Sequence, residues 1–179
     1  MGIIIKDLTK KYGNQLALNK VSFSIRNGEV VGLLGPNGAG KSTLMKSITN
    51  AIEPDSGEIL INEQNVLTQP IETKTRIGFL QENNPLYMEM YVKEYLEFVT
   101  NIRKVDQKKI EEVIEKVGLT PEKHKKIHQL SKGYKQRVGL AQAIISSPEN
   151  LILDEPTNGL DPNQIIEIRE VIKEIKKKK

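Results

Sequence analysis

A chain of 179 residues with 37% hydrophobic and 28% charged positions suits one globular domain with a sizeable core and leaves little room for a second. Zero cysteines excludes disulfides, thiolate zinc sites and cysteine nucleophiles; no window approaches about eighteen consecutive apolar residues, and Met1 to Asp7 has none of the marks of a signal peptide. The net charge of +4 is mild and much of it lies in Lys176 to Lys179, which reads as a solvated tail rather than a nucleic-acid-binding face.

In chain order, Ile3 to Ile5 is a short apolar run, and Val21-Ser22-Phe23-Ser24-Ile25 alternates with the period of a strand. Asn27-Gly28 marks a turn into Glu29 to Leu34, a run apolar enough to predict a buried strand. A helix is predicted from Lys41 to about Asn50, with Leu44, Ile48 and Ala51 on one face, and Glu58 to Ile61 reads as another strand beyond the turn at Pro54 to Gly57. From about Met88 the period becomes helical. Val92, Leu96, Val99 and Ile102 form one stripe; Ile110, Val113, Ile114 and Val117 form a second, closed by Gly118 as a C-cap. A third helix is predicted from Ser131 to Ser146, then a short buried strand at Leu151 to Leu153. A last helix runs from Asn163 to Ile175, with Ile165 or Ile166, Ile168, Ile172 and Ile175 inward. Strands, a glycine loop, a helical insert and a resumed core predict an α/β fold with a mainly parallel core.

The segment Gly35-Pro36-Asn37-Gly38-Ala39-Gly40-Lys41-Ser42 fits G-x-x-x-x-G-K-[ST] between a predicted strand and a predicted helix. A triphosphate needs many donors close to its oxygens. Glycines let backbone N–H groups approach without a Cβ in the way, and a helix start adds free amides and a favourable dipole. Lys41 supplies charge to the β- and γ-phosphates, Ser42 a hydroxyl for Mg²⁺, and Thr43 continues the cradle. Nucleotide binding is the expectation.

Further along, Leu130-Ser131-Lys132-Gly133-Tyr134-Lys135-Gln136-Arg137 resembles the signature of ATP-binding-cassette (ABC) transporters, and Leu151 to Pro156 resembles their Walker B segment. Gly159-Leu160-Asp161 is similar to the D-loop, Gln81 sits at the Q-loop position, and Tyr12 sits where the family stacks an aromatic on adenine. These elements span nearly the whole chain. Lys132 and Tyr134 depart from the commonest signature and resemble the form found in ABC-2-type exporters and gliding-motility-associated transporters.

The resemblance implies a P-loop NTPase (RecA-like) core with an N-terminal antiparallel β subdomain and a helical signature subdomain. It divides one domain, residues 1–179, into 1–87, 88–147 and 148–179. It also implies a head-to-tail dimer of cassettes, in which Ser131 and Gly133 cap the γ-phosphate held by the partner and Asp161 works across the interface. Asp154 would hold Mg²⁺ together with Ser42 and Gln81, and Glu155 would orient or deprotonate the attacking water, with Lys41 and Gln81 assisting. Family cassettes carry a switch histidine on a later core strand, which these residues do not reach. The core sheet is therefore expected to be incomplete at its C-terminal side, and turnover by these residues alone to be poor. His124 and His128 match no family position and read as surface residues.

The leading expectation is an ATPase subunit that couples Mg-ATP hydrolysis to a membrane permease, an exporter peripheral to the cytoplasmic face of the plasma (inner) membrane. A nucleotide-binding remnant with little turnover, or a soluble ABC ATPase, is the alternative. The insert between Gln81 and Leu130 is short and lacks sustained heptads, which argues against the soluble forms that act on nucleic acid.

Overall fold

The computed structural model describes residues 2–177, which divide into two compact units meeting at Ile77 and Gly78. The first unit is an antiparallel sheet with one helix of consequence. Strands β1 (Ile3–Tyr12), β2 (Gln15–Ile25), β3 (Ser56–Ile61) and β4 (Gln64–Asn65) lie in the order β2-β1-β3-β4. Registers such as Ile5 opposite both Phe23 and Ile59 place Ile5, Leu8, Ile59 and Ile61 in the core, all at most 2% exposed. Both long strands outrun the short apolar runs that predicted them, because β1 and β2 carry polar residues through bulges. At these, Asp7 and Lys20 take positive φ, and the Asp7 N–H finds the Ser22 hydroxyl at 2.7 Å. Asn62 and Glu63, both at positive φ, make the two-residue turn between β3 and β4, the mirror-image turn whose twist matches its strands.

Helix α1 (Lys41–Ile48) lies against β2, burying Leu44 and Ile48. It stops short of the predicted end, so Ala51 falls outside it and is exposed. Asn50, at positive φ, ties this terminus down by donating from Nδ2 to the Val66 carbonyl at 2.9 Å. A short helix, α2 (Pro70–Thr75), escapes the hydrophobic periodicity because only Thr73 of its six residues is buried.

The predicted strand at Glu29 to Leu34 is not formed. Residues 30–34 make no hydrogen bond among the described residues, and Val30, Val31, Leu33 and Leu34 are 67, 49, 37 and 94% exposed. An apolar run becomes a strand only when a neighbouring backbone takes its donors and acceptors.

In the second unit, β5 (Ile77–Leu80) and β6 (Asn150–Leu153) form a two-stranded sheet, continued by the Asp154 N–H donating to the Leu80 carbonyl at 2.8 Å. Around it pack α3 (Val92–Arg103), α4 (Lys109–Lys116), α5 (Lys132–Ile144) and α6 (Pro162–Lys177). Val92, Leu96 and Val99 are buried as expected, but Ile102, at the edge of the stripe in the last turn of α3, is 64% exposed. On α6, Ile168 takes the buried place and Ile166 faces outward. Gly118 caps α4 at φ +69: its N–H reaches the Glu115 carbonyl and that of Leu119 the Ile114 carbonyl, while Leu119 is fully buried. The side chains of the lysine run 176–179 lie outside the described residues. No helix among those described is long and apolar enough to cross a membrane.

One surface network links three segments of this unit. Glu111 on α4 bonds Lys123 and Lys93, each at 3.0 Å, and the two ammonium groups, Lys123 first, hold its carboxyl below the ordinary value of 4.5. A lowered carboxyl stabilises the fold at pH above its unfolded value, and that contribution is lost as the pH falls through the lowered one. With Glu111 half in water it amounts to no more than about 1 kcal/mol. Glu111→Gln is expected to lower the melting temperature slightly at pH 7 and to shrink the loss wild type suffers between neutral pH and about pH 3. Thermal melts of both proteins at the two pH values check this.

Candidate functional site: a phosphate cradle and an acidic strand end

The residues expected to carry the chemistry fall into two groups, one in each unit. In the first unit the glycine loop runs exposed from Gly35 to Ala39 and turns into α1 through Gly40, which has φ +86 and offers no side-chain cap. The first helical bond is that from the Leu44 N–H to the Gly40 carbonyl at 2.8 Å. The amides of Lys41, Ser42 and Thr43 therefore have no intrahelical acceptor, which makes the start of α1 an anion site. Lys41 Nζ donates to the carbonyls of Gly35 and Pro36 at 2.8 and 2.9 Å. Its ammonium thus sits over the loop, on neutral acceptors that a phosphate oxygen outcompetes. Asn37, Gly38 and Ala39 form the rim, with the Ala39 N–H bonded to the Pro36 carbonyl at 3.2 Å.

Tyr12 ends β1 at the Gly13-Asn14 turn, 47% exposed, with Lys10 Nζ 5.8 Å from its ring centroid. It is an exposed aromatic ring in the same unit as the cradle.

The second group gathers at the ends of β5 and β6. Asp154 follows β6 and is 4% exposed, yet its carboxylate has no ion pair or side-chain hydrogen bond among the described residues. Its carboxylate oxygens are not among the fully buried atoms left without a partner, so they reach the surface, where a divalent ion is a natural ligand for them. Magnesium keeps waters and binds through one or two carboxylates plus substrate phosphates, so a carboxylate such as Asp154, with the Gln81 amide in the same unit, is of the chemistry that metal takes. No cluster of three or more His, Cys, Asp or Glu side chains among the described residues offers a fuller cage.

Glu155 is exposed and has φ +50, a left-handed backbone rare for a side-chain-bearing residue. Gln81, half-buried, leaves β5 with no hydrogen-bond partner for its side chain among the described residues. Asn158 Nδ2 donates to Glu82 Oε1 at 3.0 Å, joining the segment after Gln81 to the one after Asp154.

Ser131 is the N-cap of α5, its hydroxyl accepting from the Tyr134 N–H at 3.4 Å. Gly133 is buried against the Gln164 amide. Gln136 Nε2 bonds the Pro156 carbonyl at 3.2 Å, so the helix that starts at Ser131 also holds the loop carrying Glu155. Asp161 caps α6, accepting from the amides of Asn163 and Gln164 at 3.0 Å each. His124 and His128 are both exposed. The polar residues Gln136, Asn158 and Gln164 are absent from the sequence-based set; a glutamine among the buried residues of α5 was the one available signal, since Gln136 is 8% exposed.

Residues 18–158 match the profile of the family described as ABC transporter. The chain belongs to that family. It is 41% identical over 172 residues to the lantibiotic transport ATP-binding protein SrtF of Streptococcus pyogenes, covering 96% of this chain and 74% of that protein. To the bacitracin transport ATP-binding protein BcrA of Bacillus licheniformis it is 41% identical over 182 residues, covering 60% of that protein. The chain spans little more than half the length of some curated relatives, 56% for the uncharacterized ABC transporter ATP-binding protein YhcH of Bacillus subtilis. Among solved structures, the dimeric cassette MJ0796 superposes with a TM-score of 0.90 at 27% identity, covering 98% of this chain and 83% of that one; MJ0796 is also solved in a post-hydrolysis state bound to ADP and Pi. The α/β fold with an antiparallel β unit and a helical, signature-bearing unit is thus that of ABC ATPase cassettes.

Substitution at the hinge of the cradle gives a direct test of its geometry. A Cβ on Gly40 would lie 2.3 Å from the Ala17 carbonyl oxygen of β2, in a backbone conformation that side chains avoid. Gly40→Ala is expected to cost roughly 2 kcal/mol, about 5 °C in melting temperature, and to weaken ATP binding as the loop shifts. Differential scanning calorimetry and nucleotide titration measure both.

Proposed function

We propose that this chain is the ATP-binding and ATP-hydrolysing part of a transporter, working on Mg-ATP as a head-to-tail dimer and driving a membrane permease, in the export direction. The observation that carries the reading is the cradle at the start of α1: three helix-start amides without helical acceptors beside an ammonium held over the same loop. Within it, Gly35 to Thr43 bind the phosphates, Lys41 neutralises the β- and γ-phosphates, and Tyr12 stacks on the adenine.

Bound magnesium would supply charge neutralisation at the transferred phosphoryl group, with Ser42, Asp154 and Gln81 as the protein's oxygen donors. Glu155 holds the attacking water and accepts its proton, while Gln81 passes the nucleotide state toward the permease. Ser131, the N-cap of α5, meets the γ-phosphate bound by the partner cassette, with Gly133 in the same first turn beneath the Gln164 amide, and Asp161 lies at that seam. The SrtF and BcrA names support transport, and the Ser131-Lys132-Gly133-Tyr134 form supports export. The permease would place the chain on the cytoplasmic face of the membrane, peripheral to it.

One observation favours a second reading, binding with little turnover by these 179 residues alone: the segment leading into the cradle, residues 30–34, is unpaired and exposed.

Two variants separate the readings. Lys41→Ala is expected to weaken ATP affinity by roughly tenfold or more, the loss of a charge-assisted phosphate contact. Glu155→Gln is expected to leave affinity within about twofold while lowering kcat at least about 100-fold. Equilibrium titration and phosphate-release assays read the two quantities. A folded Lys41→Ala protein with wild-type affinity would overturn the transporter reading; wild-type binding without measurable phosphate release, equal to that of Glu155→Gln, selects the second.

A further inference from the structure

The loop that leaves β5 at Gln81 is fastened to α5 by a polar network set in the core of the second unit. Asn84 Nδ2 donates to Gln142 Oε1 at 3.2 Å, and the Tyr95 hydroxyl donates to the same oxygen at 2.6 Å. Tyr95 is 2% exposed; burial first, and Tyr87 beside it second, push its phenol up to about 12, so the hydroxyl keeps its proton and remains a donor. The packing is equally close: a Cβ on Gly139 would lie 2.5 Å from Asn84 Nδ2 and 2.7 Å from Leu80 Cδ1. Val138, Leu140 and Ala141, around it on α5, are fully buried. Gln142 stands about three turns along α5 from the N-cap Ser131.

We propose that Gln142 is a positioning residue: by accepting from both Asn84 and Tyr95 it clamps the Gln81 loop to the helix whose first turn is the Ser131 anion site, so that the two move as one body. This rests on the reading of Gln81 and Ser131 as nucleotide-responsive groups given above. One oxygen ends both bonds, so its removal leaves two donors without an acceptor, one of them in the core. The cradle lies in the other unit and shares no residue with this network. Gln142 therefore acts on turnover and on the response to the partner cassette, not on the first capture of nucleotide.

In the intact protein, Gln142→Leu is expected to lower kcat about tenfold, within the range of a coupling residue, with ATP affinity inside about twofold of wild type. Gln142→Glu keeps an oxygen facing both donors and is expected to recover kcat to within about threefold. A residue that merely stabilises the fold would shift the melting temperature without this split between affinity and kcat. Wild-type kcat in folded Gln142→Leu overturns the proposal, and so does a kcat loss that Gln142→Glu fails to rescue. Should Gln142→Leu not fold, Asn84→Ala severs the same clamp from the loop side and is read by the same split. Lys41→Ala, measured alongside, keeps the two levels apart: retained ATP affinity there sinks the nucleotide reading, whereas lost affinity there with an unaffected Gln142→Leu sinks the clamp alone.

Discussion

The first amides of a helix have no carbonyl one turn back to accept from them, and the chemistry of this chain is arranged around that shortage. At α1 the deficit is left open, because Gly40 brings no side chain and Lys41 leans over the loop. At α5 it is partly met by Ser131, whose hydroxyl takes the Tyr134 amide and leaves those of Lys132 and Gly133 without a helical acceptor. An anion with several oxygens is the ligand that suits such ends, since each oxygen accepts more than once and the helix dipole favours negative charge.

The second unit shows how the acidic groups are held without being neutralised. Asp154 is carried into the interior by β6 and by its own amide bond to Leu80, so its position depends on backbone pairing and not on a salt bridge. The loop beyond it is gripped through main chain and neutral amides: Gln136 on the Pro156 carbonyl, Asn158 on Glu82. These contacts, one to a carbonyl and one to the Glu82 carboxylate, fix the geometry and take up neither the Asp154 nor the Glu155 carboxylate.

How much of this could be seen in the sequence follows from how local each feature is. The glycine loop, the Ser131 cap, the Gly118 cap and the Asp154 strand end are written within a few adjacent residues, because each is a requirement on φ or on a neighbouring amide. The run Glu29 to Leu34 is as apolar as any strand, yet it lies exposed, since its state is decided by whether another backbone stands beside it. Ile102 is misplaced for a related reason: periodicity gives a face but not how far the neighbours reach along it. Least legible were the pairs that meet only in space, Asn84 with Gln142 and Arg137 with Glu167, where nothing at one position hints at the other.

The left-handed backbone at Glu155 has an energetic consequence. A residue with a Cβ held there carries strain of order 1–3 kcal/mol, which glycine would relieve at once. Glycine would also delete the carboxylate. With the role proposed for Glu155, backbone ease and activity thus make opposite demands on this one position.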